Sequence, residues 1–187
     1  SSSAASDVYK RQVLVDNESG VLQRVASLFS RRNYNISSLT VSETEDPNFS
    51  RMTIETNTEP ENFRQIKAQL KKLEIVKKVA ELTDETSVSS ELLLVKVKAK
   101  GIPQKNALLA FNMRYGARVL DMSLETITLE FTGTGETIDR FVDYLENHFG
   151  IVELARTGIT SLARGEESFI EYVYCLLYTS DAADEED

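Results

Sequence analysis

The residue types that most often carry catalysis or bind metals are scarce in this chain of 187 residues. It contains one histidine, His148, and one cysteine, Cys175. A zinc site built from Cys and His needs several such ligands, and a disulfide needs two cysteines, so both are excluded. We find no convergent set of nucleophile, base and orienting group among the other side chains. The sequence therefore favours a binding or regulatory protein over an enzyme acting alone.

The most informative polar segment is residues 16–20, Asp-Asn-Glu-Ser-Gly, which stands between a predicted strand and a predicted helix. Backbone N–H groups in the first turn of a helix lack intrahelical partners and attract anions, so a small carboxylate could bind there. Asn17 could orient that ligand with its amide, and Gly20 permits close approach of a ligand or another backbone. A simple helix cap, with Ser19 as the N-cap residue, explains the same composition.

Asn35 and Ile36 enter the next predicted strand and could offer one polar and one apolar contact to an aliphatic amino acid. On spacing alone, Asn35 is equally well explained as a loop residue that tolerates positive φ. Gly133, Thr134 and Gly135 lie between a strand and a helix but lack the third glycine of a dinucleotide fingerprint, so we interpret them as a tight turn. His148 receives no functional assignment.

Hydrophobic periodicity positions these residues within two successive units of the same pattern. In the first, strands are predicted at 13–15, 36–43, 49–56 and 75–82, with helices beginning after Gly20 and at Pro60. In the second, strands are predicted at 91–99, 117–122, 126–132 and 151–160, with a weakly amphipathic helix from Pro103 and another around 138–145. The order β-α-β-β-α-β predicts an α+β fold of two ferredoxin-like domains in tandem.

The predicted domains are residues 12–82 and 91–168, joined by a polar linker at 83–90. Residues 1–11 and 169–187 show no apolar period, and we expect both to be disordered. The sequences SSSAASDVYKRQ and CLLYTSDAADEED also resemble translated sequencing-adapter read-through, so we expect these two tails to be non-native.

The overall charge restricts the class of partner. The chain has 21 Lys and Arg residues against 30 Asp and Glu residues, a formal charge of −9, which disfavours nucleic acid. No apolar run approaches the roughly 20 residues of a membrane span, and no secretory signal is evident. We therefore expect a cytoplasmic protein with neither a nucleic-acid nor a membrane partner.

One long run, VLVDNESGVLQRVASLFSRRNYNISSLTVSETEDPNFSRMTIET, closely resembles the amino-terminal ACT domain of the regulatory small subunit of acetolactate synthase, also called acetohydroxyacid synthase. Three later segments, ELLLVKVKA, LDMSLETITLEFTGT and IVELARTGITSLARGEES, are similar to the carboxy-terminal domain of that subunit. The resemblance covers roughly residues 12–168.

The resemblance implies a non-catalytic subunit that activates a catalytic large subunit making acetolactate from pyruvate, and that confers feedback inhibition by valine. It implies no cofactor in this chain, with thiamine diphosphate, Mg and FAD on the catalytic partner. It also implies a homodimer through ACT domains, with effector sites at the interface formed by the following residues of this chain: Asn17, Glu18, Ser19, Gly20, Asn35 and Ile36.

An alternative interpretation is an ACT-type amino-acid-sensing module of another biosynthetic enzyme or regulator. The discriminating feature is the second domain, because the segment ARTGITSLARGE argues for acetolactate synthase.

Overall fold

A computed structural model describes residues 7–170 of the chain. They divide into two compact units, the first formed by residues up to Val88 together with those from Ser161 onwards, and the second by Ser89–Thr160. Along this part of the chain, none of the helices combines the length and apolar character required to span a membrane.

The first unit is a four-stranded antiparallel sheet with two helices. Its elements are β1 (Asp7–Asp16), α1 (Val21–Arg31), β2 (Ile36–Glu43), β3 (Phe49–Thr58), α2 (Pro60–Leu70) and β4 (Val76–Leu82). The strands lie in the order β2-β3-β1-β4, so β1 and β3 are central and β2 is an edge strand. This is the predicted ferredoxin-like arrangement.

Helix α1 packs on this sheet through one apolar face. Val21, Val25, Leu28 and Phe29 recur at helical spacing, and all four are buried. They meet alternate residues of β1, such as Val13 and Val15, in one hydrophobic core. The periodicity of 3.6 in the helix and of 2 in the strand thus produces a common apolar layer.

The second unit repeats this order of elements. It contains β5 (Ser87–Lys98), α3 (Gly101–Tyr115), β6 (Arg118–Met122), β7 (Thr126–Gly133), α4 (Gly135–His148) and β8 (Ile151–Arg156). The strand order in this unit is β6-β7-β5-β8. A short strand, β9 (Thr160–Ala163), follows it in the chain. The predicted α+β class with two βαββαβ units is confirmed.

The Gly133-Thr134-Gly135 segment joins the end of β7 to the start of α4. Thr134 is the N-cap residue, and its hydroxyl accepts a hydrogen bond from the Thr137 N–H at 3.3 Å. This side-chain cap satisfies one of the N–H groups that a dinucleotide loop would leave for a phosphate.

The carboxyl end of β8 is tied to the rest of the second unit by an ion-pair network. The Arg156 guanidinium contacts the buried carboxylate of Glu91 and the carboxylate of Asp139, each at 2.5 Å. Burial by itself lowers the pKa of Arg156, but hydrogen bonds and charge attraction from the two carboxylates outweigh it and raise the pKa. The network fixes β8 to both β5 and α4.

The element boundaries differ from prediction at the amino-terminal end. β1 begins at Asp7, and its residues 7–11 pair in register with residues 54–58 of β3. Arg11 is 3% exposed, because its guanidinium stacks on the Phe63 ring and donates a hydrogen bond to the Phe63 carbonyl. Residues 7–11 were predicted to be disordered, and this part of the prediction is wrong. Residues 1–6 lie outside the described residues.

Two further boundaries also differ. The predicted linker 83–90 already contains the first four residues of β5, which begins at Ser87. Residues 161–170 group with the first unit, because Gln12 Nε2 donates to the Ser161 carbonyl at 2.7 Å and Ile170 packs against Leu14 and Phe49. The second predicted tail is therefore wrong at residues 169 and 170, while 171–187 and Cys175 lie outside the described residues.

Candidate functional site

The side chain of Asn17 ties the loop after β1 to the β2–β3 hairpin. Its Nδ2 donates to Glu43 Oε1 at 3.0 Å and to the Pro47 carbonyl at 2.9 Å. Its Oδ1 accepts a hydrogen bond from Ser50 Oγ at 3.0 Å, and its backbone N–H donates to the Asn48 carbonyl at 2.8 Å. The amide predicted to orient a ligand is thus occupied by the protein, and its effect is to fix the position of the loop.

Gly20, and not Ser19, is the N-cap residue of α1. It has a φ of 83°, a left-handed conformation that glycine adopts without strain. No side chain in residues 7–170 caps this helix, so the predicted capping role of Ser19 is wrong. A Cβ added at Gly20 would meet no atom within 4 Å, which shows open space in front of the helix. Glu18 and Ser19 are exposed beside it.

Asn35 and Ile36 follow a turn in which Asn33, and not Asn35, has the positive φ, of 55°. Asn35 is exposed, and within the described part of the chain its side chain makes no hydrogen bond. Ile36 is half-buried against the core of the first unit. Asn35 is therefore a loop residue, as the alternative interpretation has it, but the positive φ falls on Asn33, and the side-chain amide of Asn35 is available to a ligand.

The two parts of the predicted site lie at opposite ends of the sheet within one chain. β2 and β1 each pair antiparallel with β3, so β1 and β2 run in the same direction. Asn17 follows the end of β1 and contacts Glu43 at the end of β2, whereas Ile36 begins β2. At about 3.3 Å per residue, the seven residues from 36 to 43 separate the two parts by about 23 Å. The structure does not bring the predicted residues together in one copy.

Other features of the described residues offer no competing chemistry. No group of three or more His, Cys, Asp or Glu side chains within residues 7–170 is placed to hold a metal ion. A cavity of about 190 Å³ lies between the ends of α1 and α2, lined by Leu28, Arg31, Arg32, Gln69, Lys72 and Leu73. It is smaller than typical ligand pockets, and it includes none of the predicted site residues.

Comparison with known proteins identifies the family. Residues 12–78 match the family described as AHAS small subunit-like ACT domain, and residues 90–165 match the small subunit of acetolactate synthase. The probable acetolactate synthase small subunit of Methanothermobacter thermautotrophicus is 41% identical over 162 residues, 87% of this chain and 96% of the relative. The chain belongs to the acetolactate synthase small-subunit family. The match over residues 90–165 covers the domain that discriminates against a generic ACT sensor.

A second sequence relative and a solved structure also resemble this chain. The Mycolicibacterium smegmatis small subunit is 44% identical over 153 residues, 82% of this chain and 89% of the relative. The crystal structure of the Thermotoga maritima small subunit has a TM-score of 0.76 and 32% identity, and the match covers 86% of this chain and 99% of that chain. The predicted resemblance is confirmed.

The partners of Asn17 were not predicted from the sequence. Glu43, Pro47 and Ser50 lie 26 to 33 residues further along the chain, and they approach Asn17 only because β1 and the hairpin occupy neighbouring places in the sheet. The sequence shows that Asn17 lies beside a turn, but it does not show which residues the Asn17 amide contacts, because these contacts depend on strand order.

The different surroundings of the two asparagines give a stability prediction. Replacing Asn17 with Ala removes three side-chain hydrogen bonds, and we expect a loss of about 1–2 kcal/mol in the free energy of unfolding. Asn35→Ala, the matched control, removes none within the described part of the chain, so we expect a change within about 0.5 kcal/mol. Urea unfolding of both variants measures the difference, and equal losses would contradict the anchoring role of Asn17.

Proposed function

We propose that this chain is a regulatory subunit that activates the catalytic large subunit of acetolactate synthase and makes it sensitive to inhibition by valine. The observation that carries the proposal is the start of α1, which has no side-chain cap among residues 7–170 and faces open space at Gly20. Its N–H groups and the positive end of the helix dipole suit the carboxylate of an amino acid. The family membership supplies the catalytic partner.

The proposed valine site is completed by a second copy of the chain. β2 is an edge strand, and its exposed Val41 lies in a stretch without proline or lysine. If two copies pair β2 antiparallel about a two-fold axis at Leu39 or at Thr40, opposite residues share a face, and Ile36 of the second copy comes within one residue of the position opposite Glu43. Because Glu43 contacts Asn17, this pairing removes the separation of about 23 Å estimated from the strand rise. A two-fold axis then creates two equivalent sites.

Each proposed site divides the recognition of valine between the two copies. The N–H groups at Gly20 of one copy bind the carboxylate. Asn35 of the second copy and strand carbonyls accept hydrogen bonds from the ammonium group, and Ile36 contacts the isopropyl group. Glu18 and Ser19 contribute backbone groups from the loop that Asn17 holds in place.

Regulation then follows from the position of the ligand at a contact between copies. Valine that touches both copies favours one packing of the dimer over another, and coupling energies of this kind are typically about 1–3 kcal/mol. The catalytic subunit senses the packing, and by reciprocity it must change the affinity for valine. The acetolactate chemistry, with thiamine diphosphate, Mg and FAD, takes place on that partner, in the cytoplasm.

The direct experiment is to mix the purified chain with acetolactate synthase catalytic subunits and measure acetolactate formation with and without valine. We expect stimulation without valine and loss of the stimulated rate when valine is added. Stimulation without any response to valine would contradict the regulatory half of the proposal, and no stimulation at all would contradict the partnership.

The variant Gly20→Asp tests the carboxylate site in this assay. The new carboxylate repels that of valine, so we expect the concentration of valine needed for half-inhibition to rise at least tenfold, with activation retained. Gly20→Asn is the matched control, because it has the same size and the same positive φ without the charge. Equal effects of the two variants would show that shape or backbone strain, and not charge, explains the change.

Mixed dimers test whether each site spans two copies. Neither Gly20→Asp nor Asn35→Ala homodimers should bind valine well, because each has two defective sites. A heterodimer of the two variants, purified with two different tags, has one site carrying both defects and one intact site. We therefore expect one valine bound per heterodimer, measured by calorimetry with the wild-type affinity. A heterodimer without an intact site would place the whole site within one chain.

A further inference from the structure

The sheet of the second unit ends in an edge strand with exposed apolar side chains. β6, the five-residue strand Arg118–Met122, is at the edge of its sheet next to β7. Val119, Leu120 and Met122 are 40%, 45% and 49% exposed, although all three are apolar. Edge strands limit pairing with other chains by charged residues such as lysine, by proline, by bulges, by short length or by a covering element, and β6 is short and contains a bulge between Val119 and Asp121. β6 has no lysine and no proline, and its two charged residues have opposite signs.

Helix α3 extends this edge with an apolar flank. Phe111 stacks on Tyr144 of α4 with 4.0 Å between ring centroids, so that side of α3 faces α4. On the opposite side, Ile102, Leu109 and Met113 share one flank by helical spacing. Ile102 and Met113 are 74% and 85% exposed.

A hydrogen bond places this flank next to the β6 edge. Lys105 Nζ donates to the Ser123 carbonyl, immediately after β6, at 2.6 Å. We call the strand β6 and this flank of α3 together the β6 edge.

The charges of β6 are arranged to fit a second copy of the same strand. Arg118 lies opposite Glu130 and Asp121 opposite Thr128, and a bulge between Val119 and Asp121 puts both charged residues on the face of the sheet away from the helices. In an antiparallel pair, residues directly opposite each other share a face. Arg118 of one copy can therefore lie opposite Asp121 of another.

We propose that the β6 edge binds a second copy of this chain by antiparallel pairing of β6 with β6, about a two-fold axis between Val119 and Leu120. This register forms two reciprocal ion pairs between Arg118 and Asp121. Registers shifted by three residues would instead place Arg118 opposite Arg118, or Asp121 opposite Asp121, and like charges across a strand pair are destabilising. Among the registers that place two charged residues of β6 opposite each other, this one alone pairs opposite charges.

The proposed contact does not depend on the valine site, because it uses a different unit and a different strand. Two five-residue strands bury less surface than the roughly 1,200–2,000 Å² of a stable interface, even with the flank of α3 added. We expect the contact to be weak alone and to become effective when another interface already links the copies, which raises the local concentration of the edge.

Disulfide trapping tests the register directly. In a Cys175→Ser background, chains with Arg118→Cys are mixed with chains carrying Asp121→Cys under mild oxidation. In the proposed register the two new cysteines lie opposite each other, at the Cα separation that a disulfide requires, and the other Arg118–Asp121 ion pair is kept. In either single variant, the new cysteines of two copies lie three residues out of register, about 11 Å apart, too far for a disulfide.

We expect the mixture to give at least fivefold more disulfide-linked dimer than either variant alone. Equal yields from the mixture and the single variants would overturn the register, and equal absence of cross-linking would overturn the contact.

A second measurement does not depend on cysteine chemistry. Leu120→Lys places a charge at the centre of the proposed pairing, and we expect the self-association constant from sedimentation to fall at least fivefold. Leu124→Lys is the matched control, since Leu124 is 87% exposed and lies just beyond the strand. An unchanged constant for Leu120→Lys would contradict the proposal, and equal falls for both variants would attribute the effect to net charge.

Discussion

The position of the loop after β1 depends on the hydrogen bonds that the Asn17 side chain makes to the β2–β3 hairpin. They hold the loop after β1 against the end of the edge strand, with contacts to Glu43, Pro47 and Ser50. Because α1 begins directly after this loop, the same bonds set where its first N–H groups point. Gly20 then completes the turn with a positive φ that leaves the space in front of the helix open. The anion site that we propose at this position therefore depends on how the loop is fixed.

Strand order is the reason that we propose a second chain at this site. The ferredoxin-like topology makes β1 and β2 run in the same direction, so residues at the end of β1 and at the start of β2 are separated by the length of a strand. In the proposed two-fold pairing at the β2 edge, the second strand runs in the opposite direction. The start of β2 in one copy then lies near the Asn17 loop of the other. We propose that pairing at the β2 edge produces both the self-association of the chain and its sensitivity to valine. In the second unit we propose a similar pairing at the β6 edge, with Arg118 of one copy opposite Asp121 of the other.

Local periodicity was sufficient to predict the fold. The apolar spacing of Val21, Val25 and Phe29 and the signal of Pro60 at the first turn of α2 placed the helices correctly. The ends of elements were harder, since pairing with β3 extends β1 back to Asp7, and that pairing cannot be read from residues 7–11 alone. For the same reason, Asn17 could be selected as important from its place before a helix, but its role as an anchor depends on residues far along the chain. Ser19 could not be rejected as a cap without the backbone conformation of Gly20.

We propose that valine binds between two copies of the chain. Such a site exists only in the dimer, so valine must tighten dimerisation. Sedimentation equilibrium of the full chain across a range of valine concentrations measures this linkage directly. With two sites per dimer and valine at ten times its dissociation constant, the dimer dissociation constant should fall by roughly a hundredfold. A dissociation constant that is unchanged by saturating valine would contradict the claim and place the site within a single chain.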